Sequence, residues 1–486
     1  MSLGLVVKNT TIYALGIIGM RMAAFLLIPL YTHSLSIDDY GFWAVIQLTM
    51  QLMIIFMGSG MQIGLVRFTK EFKEKNQYGE LLGTSSLIIF VMGLIVTMAS
   101  FTFFLSFFRK IFHLDAAQPY ITMVCFATLM QSLVIHLMTH YRAEEKVLKF
   151  MIIGVSSSLI LILSNWFFVC WLKLGVMGAL WAFGITYLIF LIYLPWDIFP
   201  GLRIGISRHL ITKLLQFGFP LIFADLALLV LGGASVYVLS YFISLEVVAV
   251  YSLGAKLASI LQIVIILPFQ LAFGPFIFLN MDKTETKETI SKLFTYLTLV
   301  LAVAFFGILF GSRLLLPLIA PPEYSWAFLV ILLLLPGTAF IGIYFIGETL
   351  LLGAVKKTHI IGFVMTVFAI ISIGLNYLLI PMMQWYGAVI ATNFSFVLSG
   401  LVFLALGKKY FPFSIEWKRV SVAGGIMMFF FLLFFVLDKV PLLTFTLISL
   451  LAGLGSIVIL CRLQFFSSGE RTLLKELLQR KTTYEI

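Results

Sequence analysis

Charged residues are scarce in this chain. Asp, Glu, Lys and Arg make up 11% of the 486 residues, whereas soluble domains carry roughly 25%. Hydrophobic residues account for 62%, and the mean hydropathy is +1.11. Apolar runs of about 20 residues, the length with which an α-helix crosses a bilayer, recur along the whole chain. The sequence therefore predicts an all-α polytopic membrane protein.

Cysteines and catalytic signatures are also sparse. The three cysteines, Cys125, Cys170 and Cys461, lie in separate apolar segments, so neither a disulfide framework nor a metal site is expected. The sequence contains no nucleotide-binding loop, no His-Glu-x-x-His motif and no Gly-x-Ser-x-Gly motif. We therefore expect neither an enzyme nor a cofactor. Directional work must then draw on an ion gradient, the membrane potential or the supply of substrate.

About 14 spans of bilayer length fit the apolar runs. If the N-terminus is cytoplasmic, most of the 32 Lys and Arg residues fall on the cytoplasmic side, as the positive-inside rule requires. The polar segments predicted to be solvated cytoplasmic loops are 67–80, 140–149, 197–211, 277–289 and 407–419. Both termini are then cytoplasmic. The net charge of +11 reflects this topology, and no nucleic-acid partner is expected.

The two halves of the chain repeat one another in the same order. The matching segments are 35–43 with 243–251, 149–154 with 357–362, and Asn165 to Ala182 with Asn376 to Ala391. Each member of the first pair is an acid-bearing turn between two apolar segments, and Asp38 and Asp39 are predicted to cap the helix that follows. Such a repeat indicates a duplicated membrane unit, an arrangement that is common in transporters.

The duplication divides the chain into two six-helix lobes and two extra helices. Residues 1–211 hold predicted spans 1–6, residues 212–419 hold spans 7–12, and residues 420–466 hold the last two. Residues 467–486 are predicted to form an amphipathic helix on the inner leaflet, because their leucines recur at helical spacing.

Two basic residues lie at mid-depth in predicted spans. Arg21 in the first span and Lys256 in the eighth are each about 11 residues from a helix end, or roughly 16 Å. A charge at this depth is costly. Two explanations stay open: a structural ion pair with an acid such as Asp225, and a cationic centre for an anionic group such as a phosphate.

Two acids also lie within spans. Asp225 is in the middle of the seventh span without a basic residue near it in sequence, so it is the first candidate for coupling transport to H⁺ or Na⁺. Glu348 in the tenth span is the second candidate. The alternative for Glu348 is a contact with Lys356 or Lys357 near the helix end.

Neutral polar residues within the spans include a spaced pair. Gln47 and Gln51 are four residues apart on one face of the second helix and are predicted to line a polar path. His136 is placed with them, either at the inner mouth of this path or as a buried histidine with its hydrogen bonds satisfied.

Several blocks of sequence resemble one known family. The blocks are 8–10, 27–32, 35–41, 244–246, 251–258, 356–358, 375–381 and 386–388. They resemble the polysaccharide-biosynthesis flippases (Wzx type) of the multidrug/oligosaccharidyl-lipid/polysaccharide exporter superfamily, and the resemblance covers essentially the whole chain.

The resemblance implies alternating access that carries undecaprenyl-diphosphate-linked oligosaccharides across the bacterial cytoplasmic membrane, for O-antigen, exopolysaccharide or lipopolysaccharide biosynthesis. It implies membrane lipid and polysaccharide polymerase machinery as partners, H⁺ or Na⁺ as counter-ion, and Arg21 and Lys256 facing the cavity. The chain departs from the family at one point. Many members carry Asp-Arg where this chain has Ser235-Val236.

Three alternatives remain beside the oligosaccharide flippase. A lipid II flippase and a cation-coupled multidrug exporter belong to the same superfamily. An exporter of cationic drugs is expected to present acids without competing Arg or Lys, which does not match Arg21 and Lys256. A membrane-embedded polymerase or ligase is expected to carry a sizeable extracytoplasmic loop, and the sequence has none.

Overall fold

The computed structural model describes residues 25–112, 117–198, 208–281, 283, 285–355, 358–462 and 465. Within these ranges the regular structure is helical, without a strand. Thirteen segments are long and apolar enough to cross a membrane. The first predicted span contributes a helix over 25–34, because its earlier part lies outside the described residues. The prediction of an all-α polytopic membrane protein is confirmed.

The helices are labelled α1 to α16 in chain order. They are α1 (25–34), α2 (Ile37–Gly58), α3 (Met61–Glu74), α4 (Tyr78–Phe112), α5 (Ala117–Ala143), α6 (Val147–Asn165), α7 (Gly175–Ile198), α8 (Arg208–Phe242), α9 (Leu245–Ala258), α10 (Leu267–Asn280), α11 (Thr286–Ile319), α12 (Ala327–Val355), α13 (Thr358–Met383), α14 (Trp385–Tyr410), α15 (Trp417–Val436) and α16 (Leu442–Arg462). We call the end of the bundle with the turns before α2 and α9 the turn end, and the opposite end the basic end.

The repeated turns before α2 and α9 have the same capping geometry. Ser36 accepts a hydrogen bond from the backbone N–H of Asp39 at 3.1 Å, and Ser244 accepts one from Val247 at 3.3 Å. The prediction that the acid pair caps α2 is therefore wrong, since Ser36 is the N-cap. Asp38 and Asp39 lie in the first turn instead, where their charges interact favourably with the helix dipole.

Matching glycines also mark the duplication. A Cβ on Gly178 of α7 would lie 2.8 Å from the carbonyl oxygen of Phe168, and a Cβ on Gly387 of α14 would meet the carbonyl oxygen of Leu379. A larger residue at either position would push the helix away from the end of the preceding one. The sequence repeat thus corresponds to a repeated packing contact.

The second and eighth spans are both interrupted. Ser59 and Gly60 adopt left-handed backbone conformations (φ 46° and 69°) between α2 and α3. In the eighth span a π-helix over Gln262–Ile266 separates α9 from α10, and Pro268 stands in the first turn of α10. Proline cannot donate a helical hydrogen bond, so it favours an interruption just before it. Both spans therefore consist of two helical segments.

The basic end is more ordered than the sequence predicts. The segments 67–80 and 140–149, predicted to be solvated loops, are mostly helical, with the connections 75–77 and 144–146 between helices. Ion pairs there join segments from different helices or their connections, namely Lys73–Glu144, Lys149–Asp197 and Lys213–Glu71. Two further pairs, Lys75–Glu71 and Lys146–Glu144, are local to one helix end and one connection. These polar residues therefore hold helix ends together as well as orienting the protein.

The apolar core does not divide at the predicted lobe boundary. Leu210 and Leu214 of α8 pack in a cluster with residues of α3, α4, α5 and α7. The boundary predicted between residues 211 and 212 falls inside α8, whose first turns contact the first half. A separate cluster joins α8, α12, α13 and α14 in the second half.

The last two helices pack on α11 through aromatic rings. The ring centroids of Phe306 and Phe430 are 4.5 Å apart, and those of Phe310 and Phe445 are 6.3 Å apart. Arg313 of α11 also donates a hydrogen bond to a backbone carbonyl between α15 and α16. The pair of extra helices is therefore attached to the side of the second half.

Candidate functional site

A cavity of about 700 Å³ lies among α1, α2, α3, α5, α6, α7 and the end of α9. Its walls combine apolar side chains with groups that form hydrogen bonds. The polar and charged lining residues are Tyr31, Gln47, Gln51, Gln62, Thr139, Arg142, Ser157, Ser158, Tyr187, Lys256 and Ser259. Among the described lining residues the charged ones are Lys256 and Arg142, and none is Asp or Glu.

Packing of α9 turns Lys256 toward this cavity. Gly254 lets α9 approach α12, since a Cβ there would lie 2.6 Å from the Cβ of Val330. Lys256 is two residues later, which is about 200° around the helix. Its side chain therefore leaves α9 on the side away from α12. Among the described residues, Lys256 is the one cation of the second half that lines the cavity. The other lining residues come mainly from the first half.

Lys256 is held by neutral groups. Its Nζ donates a hydrogen bond to Gln47 Oε1 at 2.8 Å and lies 5.2 Å from the centroid of the Tyr40 ring. No carboxylate among the described residues is within 4.0 Å, so the ion pair with Asp225 that the sequence left open is not formed. An amide and a ring face stabilise an ammonium group without neutralising it. The charge of Lys256 is therefore available to an anion in the cavity.

The glutamines form a row beside Lys256. Gln47 and Gln51 both line the cavity from one face of α2, and Gln62 continues the row on α3 beyond the helix break. Their amides donate and accept hydrogen bonds without adding charge. This row suits a ligand with many hydroxyl groups.

His136 lies away from this row. It is fully buried and is not among the lining residues; its Nε2 is 2.9 Å from the hydroxyl of Ser85 on α4. In the sequence, His136 resembles the polar residues of α5 that do line the cavity, such as Thr139. Its position outside the cavity could therefore not be predicted. Arg21, the other predicted cation, lies outside the described residues.

The two acids occupy different environments. Asp225 is exposed on α8, two helical turns after Gly218, where α8 contacts the break between α2 and α3. Glu348 is half-buried on α12, one helical turn after the buried Tyr344. Neither carboxylate has a basic group within 4.0 Å among the described residues, and Lys356 and Lys357 lie outside them.

Two features escaped the sequence reasoning. Arg142 falls within the predicted loop 140–149, yet it lines the cavity from the last turn of α5. The signal was its spacing, since Thr139 and Arg142 are three residues apart and share a helix face. Ser235, at the position where the family resemblance implies an acid, is buried, and its hydroxyl lies 3.0 Å from that of Thr392. At this position the chain therefore makes a neutral hydrogen bond between α8 and α14.

Solved structures of transporters share this fold. The lipid II flippase MurJ in an inward closed conformation matches with a TM-score of 0.70 at 14% identity, over 94% of this chain and 99% of that chain. An inward-facing multidrug resistance MATE family transporter of the MOP superfamily gives 0.65 at 14%, over 85% and 99%. A mutant of the Vibrio cholerae MATE transporter VcmN gives 0.62 at 12%, over 83% and 95%. At these identities the likeness concerns the fold.

Sequence comparison supplies the family. No curated protein sequence matches the chain. The family model described as "Polysaccharide biosynthesis protein" matches residues 6–281, which is more than half of the chain. The protein is thus a multi-pass membrane protein whose fold is similar to that of MurJ and the MATE transporters, and it belongs to the polysaccharide biosynthesis protein family.

Proposed function

We propose that this protein is a flippase that carries undecaprenyl-diphosphate-linked oligosaccharides from the inner to the outer leaflet of the bacterial cytoplasmic membrane by alternating access. The observation that carries the proposal is Lys256, an unneutralised cation at mid-depth in a cavity without a described acid. A diphosphate is the anionic group that all such lipid-linked sugars share. In this proposal the diphosphate binds Lys256, together with Arg21 of the first span.

The positive charge of the cavity lining favours an anionic substrate over the cationic drugs that a drug exporter would carry. A cationic drug would need a carboxylate to replace its hydration, and the described lining offers two cations instead. A lipid-linked saccharide fits better, because its diphosphate suits Lys256 and its hydroxyl groups suit the glutamine row. The lipid chain would remain in the bilayer.

Movement of the lobes supplies the alternation. At the turn end α2 and α9 touch, since a Cβ on Gly41 would meet the carbonyl oxygen of Leu245. At the basic end Lys213 of α8 is paired with Glu71 of α3 at 2.8 Å. We propose that opening toward either leaflet breaks one of these contacts.

An ion gradient is the proposed driving force. Asp225 and Glu348 are the carboxylates available to bind H⁺ or Na⁺, because neither has a basic partner among the described residues. The flipped saccharide would pass to polysaccharide polymerase machinery on the far side. With both termini cytoplasmic, the basic end faces the leaflet from which the substrate is taken.

The function is tested by reconstitution. Purified protein is placed in liposomes with a fluorescent undecaprenyl-diphosphate oligosaccharide, and movement between leaflets is followed by quenching from outside. Lys256→Gln should slow flipping by about tenfold or more, because a hydrogen bond to a charged group contributes about 1.5–3 kcal/mol. Lys256→Arg should retain part of the rate. Lys283→Gln is the matched control, since Lys283 is exposed at the basic end.

Two results would reject the proposal. Wild-type protein that moves the substrate no faster than protein-free liposomes rejects the function. A Lys256→Gln rate equal to wild type removes the cationic centre. Lipid II is tested in parallel, because it carries the same diphosphate and the MurJ fold is similar. Faster movement of lipid II than of the oligosaccharide would assign that substrate instead.

A further inference from the structure

The two halves differ at the positions that form the cavity. The repeat places equivalent residues 208 positions apart in this region, as Lys149 and Lys357 are. Carried outward from the matched segments 149–154 and 357–362, this offset pairs Arg142 with Leu350 and Ser157 with Met365. Leu350 is 0% exposed and Met365 is 2% exposed, so apolar side chains fill the second half where the first half is open and polar. The polar cavity is therefore a specialisation of the first half.

Arg142 is the cation at the basic mouth of this cavity. Its guanidinium lies 6.0 Å from the centroid of the Phe150 ring and has no carboxylate within 4.0 Å among the described residues. Neighbouring lysines differ from it, because Lys73 and Lys146 are paired with Glu144. Arg142, an exposed side chain at the mouth of the cavity, thus has no described acid within 4.0 Å, whereas Lys73 and Lys146 beside it are neutralised.

Lys256 and Arg142 are too far apart for one diphosphate. Lys256 is 11 residues after the start of α9, and Arg142 is 25 residues after the start of α5. Both helices begin at the turn end. At about 1.5 Å per residue the two positions differ by roughly 20 Å along the bundle axis. A diphosphate bound at Lys256 therefore leaves Arg142 for another group.

The wall between these cations is neutral and hydrogen-bonding. Gln51, Gln62 and Tyr187 line it, together with two serines of α6. Ser157 and Ser158 donate hydrogen bonds to the carbonyl oxygen of Gly154 at 2.8 and 3.0 Å, which leaves their oxygens free to accept. Sugar hydroxyl groups suit such a surface, since they both donate and accept.

We propose that Arg142 binds a second anionic group, a carboxylate or phosphate carried by the sugar itself, and that this flippase is selective for acidic oligosaccharides. The proposal rests on the proposed function. In it the diphosphate lies at Lys256, the sugars follow the row of amides and hydroxyls, and the acidic group reaches the basic mouth. A planar guanidinium binds a carboxylate or phosphate through two parallel hydrogen bonds.

The test compares three probes in phosphatidylcholine liposomes. They are an undecaprenyl-diphosphate-linked disaccharide with a neutral terminal sugar, the same disaccharide with a uronic acid, and the same with a sugar phosphate. Wild-type protein should bind and flip at least one acidic probe roughly three- to tenfold better than the neutral probe. Arg142→Gln should remove that preference, bringing the acidic probes down to the level of the neutral probe, and Arg142→Lys should restore part of it. Arg67→Gln, an exposed cation of α3 outside the cavity lining, should keep the preference.

The outcomes separate the two proposals. Equal handling of all three probes by wild type, or an equal effect of Arg142→Gln on all three, overturns acidic selectivity while flipping itself stands. An effect of Arg142→Gln that appears only after anionic phospholipid is added overturns it as well, because Arg142 then binds a lipid headgroup. If wild type moves none of the probes, the proposed function fails and acidic selectivity fails with it.

Discussion

At the residue scale, the partners of each cation distinguish two roles. Lys73, Lys149 and Lys213 at the basic end face carboxylates, and their ion pairs fasten neighbouring segments. Lys256 instead faces Gln47 and the ring of Tyr40, which stabilise the ammonium group without cancelling its charge. Since an uncompensated charge in a membrane protein is costly, its retention at mid-depth supports the anionic ligand proposed for this cavity.

Asp225 is predicted to couple flipping to an ion gradient. Asp225→Asn should fold normally and still exchange substrate, but lose the response to an imposed pH or Na⁺ gradient, because an amide cannot take up a proton and binds Na⁺ weakly. Flipping is measured in liposomes with each gradient imposed separately. Glu348→Gln is compared in parallel. If Asp225→Asn keeps both its folding and its gradient response, the coupling role passes to Glu348.

Glu144 is predicted to make stability depend on pH. Partial burial raises the pKa of its carboxyl, but the hydrogen bonds and charges of Lys73 and Lys146 outweigh this, so the pKa lies below its ordinary value. Its stabilisation is therefore present above the unfolded-state pKa of about 4.3 and is lost as pH falls through the folded-state pKa. Glu144→Gln should destabilise the protein by about 1 kcal/mol or less at neutral pH, given solvent screening.

Thermal unfolding in detergent checks this effect. The difference between Glu144→Gln and wild type should shrink as the buffer approaches a pH of about 3.5. Glu145→Gln is the matched control, because Glu145 is exposed and has no basic group within 4.0 Å among the described residues. A difference that stays constant across this pH range would show that Glu144 acts through packing instead of charge.

At the element scale, the repeat located the helices but not their interruptions. The duplicated turns correctly predicted where α2 and α9 begin, since Ser36 and Ser244 cap them in the same way. The break at Ser59 and Gly60 was not foreseen. Its left-handed conformations depend on the close approach of α8, which is a contact between segments far apart in sequence. Local patterns carry no information about such contacts.

Gly60 is predicted to be required for the contact between α3 and α8. Its φ is 69°, and a Cβ there would lie 2.5 Å from the carbonyl oxygen of Gly218. Gly60→Val should therefore destabilise the protein by about 1–3 kcal/mol through backbone strain and overpacking. Gly311→Ala on α11 is the control, because no atom lies within 4 Å of the added carbon. It should be neutral or stabilising by up to about 1 kcal/mol.

Unfolding of both variants in the same detergent measures the effect. A Gly60→Val protein as stable as wild type would mean that α3 and α8 can separate without cost. The interruption would then be a flexible connection and not a tightly packed contact.

At the scale of the whole molecule, the sequence predicted the fold class and the duplication but not the asymmetry of the halves. Composition and apolar run length determine a helical membrane protein, and both act locally. The cavity depends on which positions of the repeat carry small or polar side chains. Ser157 in the first half lines the cavity, whereas Met365 in the second half is buried. Only the packing of α5, α6 and α7 around α2 shows that those positions face one space.

The contact between α3 and α8 gives a prediction for the whole transport cycle. Glu71 and Lys213 are 2.8 Å apart and join the first half to α8 at the basic end. If the halves separate there in each cycle, a disulfide between Glu71→Cys and Lys213→Cys should stop flipping, and a reducing agent should restore it. The native cysteines Cys125, Cys170 and Cys461 are replaced first, so that no other disulfide forms.

The matched control lies within the first half. Lys149 of α6 and Asp197 of α7 are also an ion pair at the basic end, 2.9 Å apart. A disulfide between Lys149→Cys and Asp197→Cys should leave flipping unchanged, because α6 and α7 move together if the first half is a rigid body. Full flipping by the oxidised 71–213 variant would show that α8 stays fixed to α3. The opening at the basic end would then have to form on another side of the cavity, away from α3 and α8.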